Sequence, residues 1–164
     1  MENIYLYLKQ NHKTFLSTIK HLYGICSPTL NSIVYYLESQ FNREVYKNSV
    51  ITEQQVESFL ENLIAQKVII FIADECGKTI PIPVEWIKGI LRYHLAMSEC
   101  SHGSLFQMIQ RRYRIGQVTT RAIIKWIVDN GYVSRIFFPS HPLSYCFVTD
   151  HQYNDFLKEY CLRW

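Results

Sequence analysis

The stretch Gln110-Arg111-Arg112-Tyr113-Arg114-Ile115-Gly116, followed by residues 117–130, decides the fold of this chain. Residues 105–113 have the apolar spacing of a short helix, and Arg114-Ile115-Gly116 predicts a tight turn. Residues 117–130 have the spacing of a longer helix that ends at Gly131. We therefore predict two helices joined by a turn, with arginines on both sides of that turn.

The longer of these helices has two distinct faces on a helical wheel. One face carries Thr120, Ile123, Ile124 and Ile127. Another carries a polar stripe of Gln117, Arg121 and Lys125, spaced one helical turn apart. We expect the apolar face to pack on the protein and the stripe to face outward.

The order of predicted elements around this helix is repeated in the first half of the chain. Three helical segments (residues 13–23, 29–41 and one beginning at the capping-box sequence Thr52-Glu53-Gln54-Gln55) precede a hairpin of residues 68–73 and 79–82. The second half has helices at about 83–98, 105–113 and 117–130. A hairpin of residues 132–138 and 145–149 and a last helix at 150–160 follow.

Three helices followed by a hairpin is the order of a winged helix-turn-helix module. The sequence thus predicts a mainly α fold with small β-hairpins, built as tandem winged helix-turn-helix modules at residues 1–82 and 83–164. Pro81 and Pro83 mark the joint, and no Gly/Ser-rich linker separates the modules. We expect them to pack closely.

Charge is distributed unevenly over the 164 residues, 17 of which are Lys or Arg and 14 Asp or Glu. Residues 1–82 contain seven basic and eight acidic side chains, whereas residues 83–164 contain ten and six. No acid lies between Glu99 and Asp129. A run of charge is often a solvated helix face, but such faces mix signs to form i,i+4 pairs. The absence of acids here favours an anionic ligand.

Double-stranded DNA is the ligand that this arrangement predicts. In helix-turn-helix proteins the outward face of the second helix enters the major groove, and flanking arginines contact phosphates. The hairpin of the second module supplies one further cation and one histidine near the tip. The candidate DNA-binding residues are Arg111, Arg112, Arg114, Gln117, Thr119, Arg121, Lys125, Arg135 and His141.

These residues also resemble a known family. Gln110 to Gly116, with Arg121-Ala122-Ile123-Ile124 and Gly131-Tyr132-Val133-Ser134 at matching spacing, is similar to the gamma domain of FtsK-type DNA translocases. The resemblance covers about residues 90–135 and implies a winged helix that reads short DNA sequences. The chain has no Walker sequence, so the motor is absent. Val118 and Thr119 stand where that family has the Asn and Arg of its base contacts.

The third predicted helix of the first module carries an acidic stripe instead. Glu53, Glu57 and Glu61 are spaced i, i+4 and i+8 and should repel phosphate. The stripe is either a solvated face or a surface that binds protein, for which a second copy of the chain or a basic partner is expected.

Other classes of function find little support. The histidines and cysteines lack metal-ligand spacing, and no pair of carboxylates has a catalytic pattern, so we expect no metal, no cofactor and no enzyme. The longest apolar run, residues 68–73, is too short for a membrane span. The five cysteines are odd in number and widely spaced, as is typical of reduced thiols. We therefore expect a cytoplasmic, nucleoid-associated protein.

The sequence as a whole predicts a non-enzymatic duplex-DNA-binding protein. Its expected setting is a small regulator of transcription, or an accessory factor for replication, partition or DNA transfer, in a bacterium, plasmid or phage. The alternative is an adaptor that keeps the winged-helix modules and binds proteins without binding DNA.

Overall fold

The computed structural model describes residues 4–25, 28–44, 50–97, 100–137 and 144–160. Within these ranges the chain is mainly helical, with seven helices and two small antiparallel sheets. The first half consists of α1 (Ile4–Tyr23), α2 (Thr29–Glu44), α3 (Glu53–Ala65), β1 (Ile69–Ala73) and β2 (Thr79–Pro83). The second half consists of α4 (Val84–Met97), β3 (Cys100–Ser101), α5 (His102–Tyr113), α6 (Gln117–Asp129), β4 (Ser134–Phe137), β5 (Ser144–Phe147) and α7 (Asp150–Glu159).

Local signals place the starts of α3 and α7. The Thr52 side chain accepts a hydrogen bond from the Gln55 backbone N–H, and the Gln55 side chain accepts one from the Thr52 N–H. Thr149 and Gln152 form the same reciprocal cap at α7. Each pair satisfies two backbone donors that a helix start leaves free. The capping-box prediction at Thr52 is confirmed.

The hairpin of the first half is also confirmed. β1 and β2 pair antiparallel, from Ile69 opposite Pro83 to Ala73 opposite Thr79. The Asp74 carboxylate accepts the backbone N–H groups of Cys76 and Lys78 at 2.9 Å each, and Gly77 adopts a positive φ of 80°. This turn places Glu75 at the hairpin tip.

The second half differs from the prediction in two elements, α5 and β3. Helix α5 begins at His102, three residues before the expected start, and β3, which was not expected, pairs with β5 to give a sheet of order β3-β5-β4. β3 has only two residues, too few to give a periodic pattern in the sequence, so it can be identified only by its pairing with β5. The β4–β5 hairpin is confirmed, and residues 138–143 at its tip lie outside the described residues. Helix α1 is likewise longer than predicted, because residues 5–12 contain no proline or glycine to stop it.

Buried side chains from both halves form one contiguous hydrophobic cluster. Ile33 of α2, Ile82 of β2, Ile87 of α4 and Ile123 of α6 are all fully buried in it. Helix α4 starts at Val84, directly after β2 ends at Pro83, so no linker separates the halves. Stability of the second half therefore depends on apolar contacts with the first.

The core contains ionisable side chains, among them Tyr153 and His94. His94 of α4 has no solvent exposure, and burial lowers the pKa of its imidazole from 6.5 to about 4. The folded protein thus holds His94 neutral, while an unfolded chain protonates it near pH 6.5.

We expect acid to destabilise the fold through His94. Because the pKa is lower in the folded state, the unfolded chain binds more protons between pH 6.5 and 4, and stability falls as pH drops through that interval. At about 1.4 kcal/mol per pKa unit, the loss is on the order of 3 kcal/mol. Urea unfolding of H94Q between pH 7 and 4 should show a shallower pH dependence than the wild type. The exposed His151, changed to Gln, serves as control, and parallel curves for H94Q and wild type contradict the prediction.

Candidate nucleic-acid interface

The end of α5 projects three arginines towards solvent. Arg111 and Arg112 are exposed in the last turn of the helix, and Arg114 is exposed just after it. Arg114 has a left-handed backbone with a φ of 52°, and the Ile115 N–H donates back to the Gln110 carbonyl at 3.3 Å. This is a Schellman-type helix end, in which glycine is the usual left-handed residue. Here the bend occurs at Arg114, while Gly116 is the N-cap of α6 with an ordinary φ of −75°.

The turn between α5 and α6 is held by side chains of α2. The Gly116 N–H donates to Thr29 Oγ1 at 2.8 Å, and Ser32 Oγ donates to the Arg114 carbonyl at 2.8 Å. The hydroxyls of Thr29 and Thr119 lie 3.3 Å apart and both side chains are buried. The first half therefore covers one side of the turn.

This packing corrects one of the candidate DNA contacts. Thr119 is 5% exposed and faces Thr29, so its side chain is not part of an exposed face. Its neighbour Val118 is 43% exposed, which makes it one of the few large apolar side chains on the surface. Thr119 is therefore not available as a DNA contact in this structure.

The polar stripe on α6 is exposed as expected at Gln117, Arg121 and Lys125. Two of its members have acidic partners: Arg121 Nε lies 3.0 Å from Glu75 Oε1, and Lys125 Nζ lies 2.7 Å from Asp129 Oδ2. Glu75 comes from the β1–β2 tip, so the first half supplies the acid that the second half lacks near Arg121. Gln117 lines a small cavity of about 370 Å³ beside the same hairpin, together with Cys76 and Lys78.

The exposed Arg112 side chain lies along the surface beside α4. Its Cζ lies 5.6 Å from the centroid of the Tyr113 ring, within cation–π range, and it approaches Gly89 of α4. Arg135 lies in β4 opposite Cys146. His141 lies outside the described residues. Arg112 and Arg114 line one groove with α2, whereas Gln117 and Arg121 of the stripe lie beside the β1–β2 hairpin.

The acidic stripe of the first half is exposed along α3. Glu53, Glu57 and Glu61 all face solvent. Burial raises the pKa of the Tyr23 hydroxyl, and the negative charge of Glu57 raises it further. Tyr23 in turn contacts the partly exposed Phe71, with ring centroids 5.7 Å apart. Acidic and aromatic side chains therefore share this surface.

Over the described ranges, no group of three or more His, Cys, Asp and Glu side chains is placed to hold a metal ion. In the same part of the chain, none of the helices combines the length and the apolar character needed to cross a bilayer.

Comparisons of the chain with protein-family models, with curated proteins and with solved structures gave no match. The similarity to the gamma domain of FtsK-type translocases therefore stays a prediction that rests on the residues of the chain itself.

The left-handed backbone at Arg114 predicts the effect of glycine at this position. A non-glycine residue in this conformation costs about 1–2 kcal/mol, partly offset by the greater freedom of glycine in the unfolded chain. We expect R114G to unfold at the same or a higher denaturant concentration than the wild type. Lys67, with a φ of 58° after α3, is the matched control, and K67G should behave in the same way. A clear loss of stability in R114G alone would show that the arginine side chain supports the fold.

Proposed function

We propose that this protein binds double-stranded DNA through its second half and that α4–β5 forms a winged helix. In this proposal α5 and α6 are the helix-turn-helix and β4–β5 is the wing. The first half has the order α1-α2-α3-β1-β2 and forms another module of the same type. It supports the DNA-binding module of the second half. The observation that carries the proposal is the group of exposed arginines at the turn, Arg111, Arg112 and Arg114.

The chemistry of these side chains suits phosphate better than it suits any fixed internal partner. Guanidinium groups bind phosphate oxygens in a bidentate manner, and exposed ones do so at little desolvation cost. In helix-turn-helix proteins, residues beside the turn contact the DNA backbone while the second helix enters the major groove. Arg121 and Lys125 on α6 extend the positive surface away from the turn.

The β1–β2 hairpin limits how α6 meets a duplex. Its tip holds Glu75 against Arg121, and a phosphate approaching Arg121 must compete with that carboxylate. The turn end of α6 is covered by α2 at Thr119. Both features favour binding in which most contacts are to the DNA backbone. Arg121 can contact a base or a phosphate once its ion pair with Glu75 has opened.

This chemistry fits a small regulator of transcription or an accessory factor in replication, partition or DNA transfer of a bacterium, plasmid or phage. In that setting the protein acts in the cytoplasm in association with the nucleoid.

An adaptor that binds protein is the second candidate function. The exposed stripe of Glu53, Glu57 and Glu61 next to the Tyr23–Phe71 pair favours it, since interfaces combine aromatic side chains with charged rims. A basic segment of a partner or a second copy of the chain would bind there. Such an adaptor loses its partner when Glu57 and Glu61 are reversed in charge and tolerates reversal of Arg111 and Arg114.

Charge reversal at the turn tests duplex binding. We expect the double variant R111E/R114E to lose binding to a labelled duplex in fluorescence anisotropy. For five or six phosphate contacts, log affinity of the wild type should fall against log salt with a slope of about −5. K9E/K13E, which changes net charge equally on exposed residues of α1, is the control and should retain binding. Absence of wild-type binding at low salt refutes the function.

The variants R114G and K67G distinguish a DNA contact made by the Arg114 side chain from an effect of that residue on folding. R114G keeps the backbone that Arg114 adopts, so a weaker affinity for duplex with unchanged stability identifies the side chain as a DNA contact. K67G has the same backbone geometry far from the turn along the sequence and should bind duplex like the wild type.

Removing the carboxylate of Glu75 should strengthen DNA binding. E75Q frees Arg121 and removes a negative charge beside α6, which we expect to raise affinity about two- to fivefold, the range of an exposed ion pair. E57Q removes the same charge from α3 and serves as control. Equal gains in E75Q and E57Q would assign the effect to net charge, and unchanged affinity in E75Q would exclude Arg121 from the interface.

A further inference from the structure

An aromatic groove lies where the first half meets the end of α5. It is formed by α2, by the first turn of α4 and by the end of α5, and its volume is about 690 Å³. This is within the range of sites that bind small ligands or single units of a polymer, about 300–1,000 Å³. The residues that matter for its chemistry are Tyr35, Tyr36, Trp86, Arg112, Tyr113 and Arg114.

The floor of the groove is rigid. Trp86 is 8% exposed and stacks on Tyr113, with ring centroids 5.1 Å apart and an interplanar angle of 28°. The Tyr113 hydroxyl donates to the Trp86 carbonyl at 3.0 Å. Gly89 makes room for this arrangement, because a Cβ there would lie 2.6 Å from the Tyr113 hydroxyl oxygen. The floor is therefore a preformed surface.

The rim of the groove has a different character. Tyr35 of α2 is 76% exposed, more than any other large hydrophobic residue in the described part of the chain. Arg112 and Arg114 provide two exposed guanidinium groups, and the described residues that line the groove include no carboxylate. An exposed ring beside two cations forms an aromatic platform next to a positive edge.

We propose that this groove binds an unpaired nucleotide of a single-stranded DNA segment. Bases stack on exposed aromatic rings regardless of their identity, and the adjoining phosphates bind arginine. A duplex is too wide to enter a groove of this volume, whereas one or two flipped or unpaired nucleotides fit. Arg112 and Arg114 also belong to the proposed duplex surface. A single strand that leaves a duplex bound at the turn would therefore enter the groove and reach Tyr35.

This proposal rests on the proposed duplex binding and adds a preference for junctions of duplex with single strand. Acidic, proline-containing peptides also bind aromatic grooves. The continuity of the groove with the arginine surface at the turn favours the nucleotide.

The test compares three labelled DNAs in fluorescence anisotropy: a blunt duplex, and the same duplex with a short thymidine overhang at either the 5′ or the 3′ end. We expect one of the overhangs to raise affinity about five- to a hundredfold over the blunt duplex, as stacking of one base does. Y35A should remove this gain and leave blunt-duplex affinity unchanged. Y35F, which keeps the ring, should retain the gain. F71A removes a partly exposed ring outside the groove and is the control, which should retain the gain.

The binding data distinguish failure of the groove proposal from failure of the proposed function. Blunt-duplex binding without a gain from either overhang, or a gain that survives in Y35A, overturns the groove proposal and leaves duplex binding intact. Binding of thymidine single strands that depends on Tyr35, with no duplex binding, overturns the proposed function instead. If a glutamate- and proline-rich peptide binds in a Tyr35-dependent way and the overhang does not, the groove is a peptide site and the proposal is wrong.

Discussion

The hydrogen bonds between α2 and the α5–α6 turn are the constraint on which the rest of the structure depends. Thr29 accepts the Gly116 N–H and Ser32 donates to the Arg114 carbonyl. A buried backbone donor left without a partner costs about 1–3 kcal/mol, so the turn is stable in this form because the first half supplies the missing groups. The conformation of the turn between the two helices of the candidate interface therefore depends on a contact between two distant parts of the chain.

The same contact determines the chemical character of the surface. It buries Thr119 and leaves the arginines at the end of α5 exposed, while the β1–β2 tip brings Glu75 to Arg121. The positive surface is consequently strongest at the turn and weaker along α6, where acidic partners are present. It also places the ring of Tyr35 opposite the end of α5, which creates an aromatic groove that neither half contains alone.

The elements with strong local signals were predicted from the sequence. The cap at Thr52, the turn residues between β1 and β2 and the apolar period of α6 all act within a few residues, and the structure contains each of these elements. The pairing of β3 was missed because its partner, β5, lies far along the chain. The early start of α5 was missed because Gly103 and Ser104 favour a break over a helix. The exposed ring of Tyr35 gave no signal, since a tyrosine next to Tyr36 in an amphipathic helix is typical of packing.

What the sequence determined by itself is the helices and the two hairpins, their order and the angular position of each side chain around its helix. The period of an α-helix fixes that angle, so the stripe of Gln117, Arg121 and Lys125 is on one face in the sequence and in the structure. Only the tertiary structure decided which parts of that surface are open, because Thr29 and Thr119 are 90 residues apart and meet through packing of the two halves. A helical period carries no information about partners far along the chain, which are Thr29 for the buried Thr119 and Glu75 for Arg121.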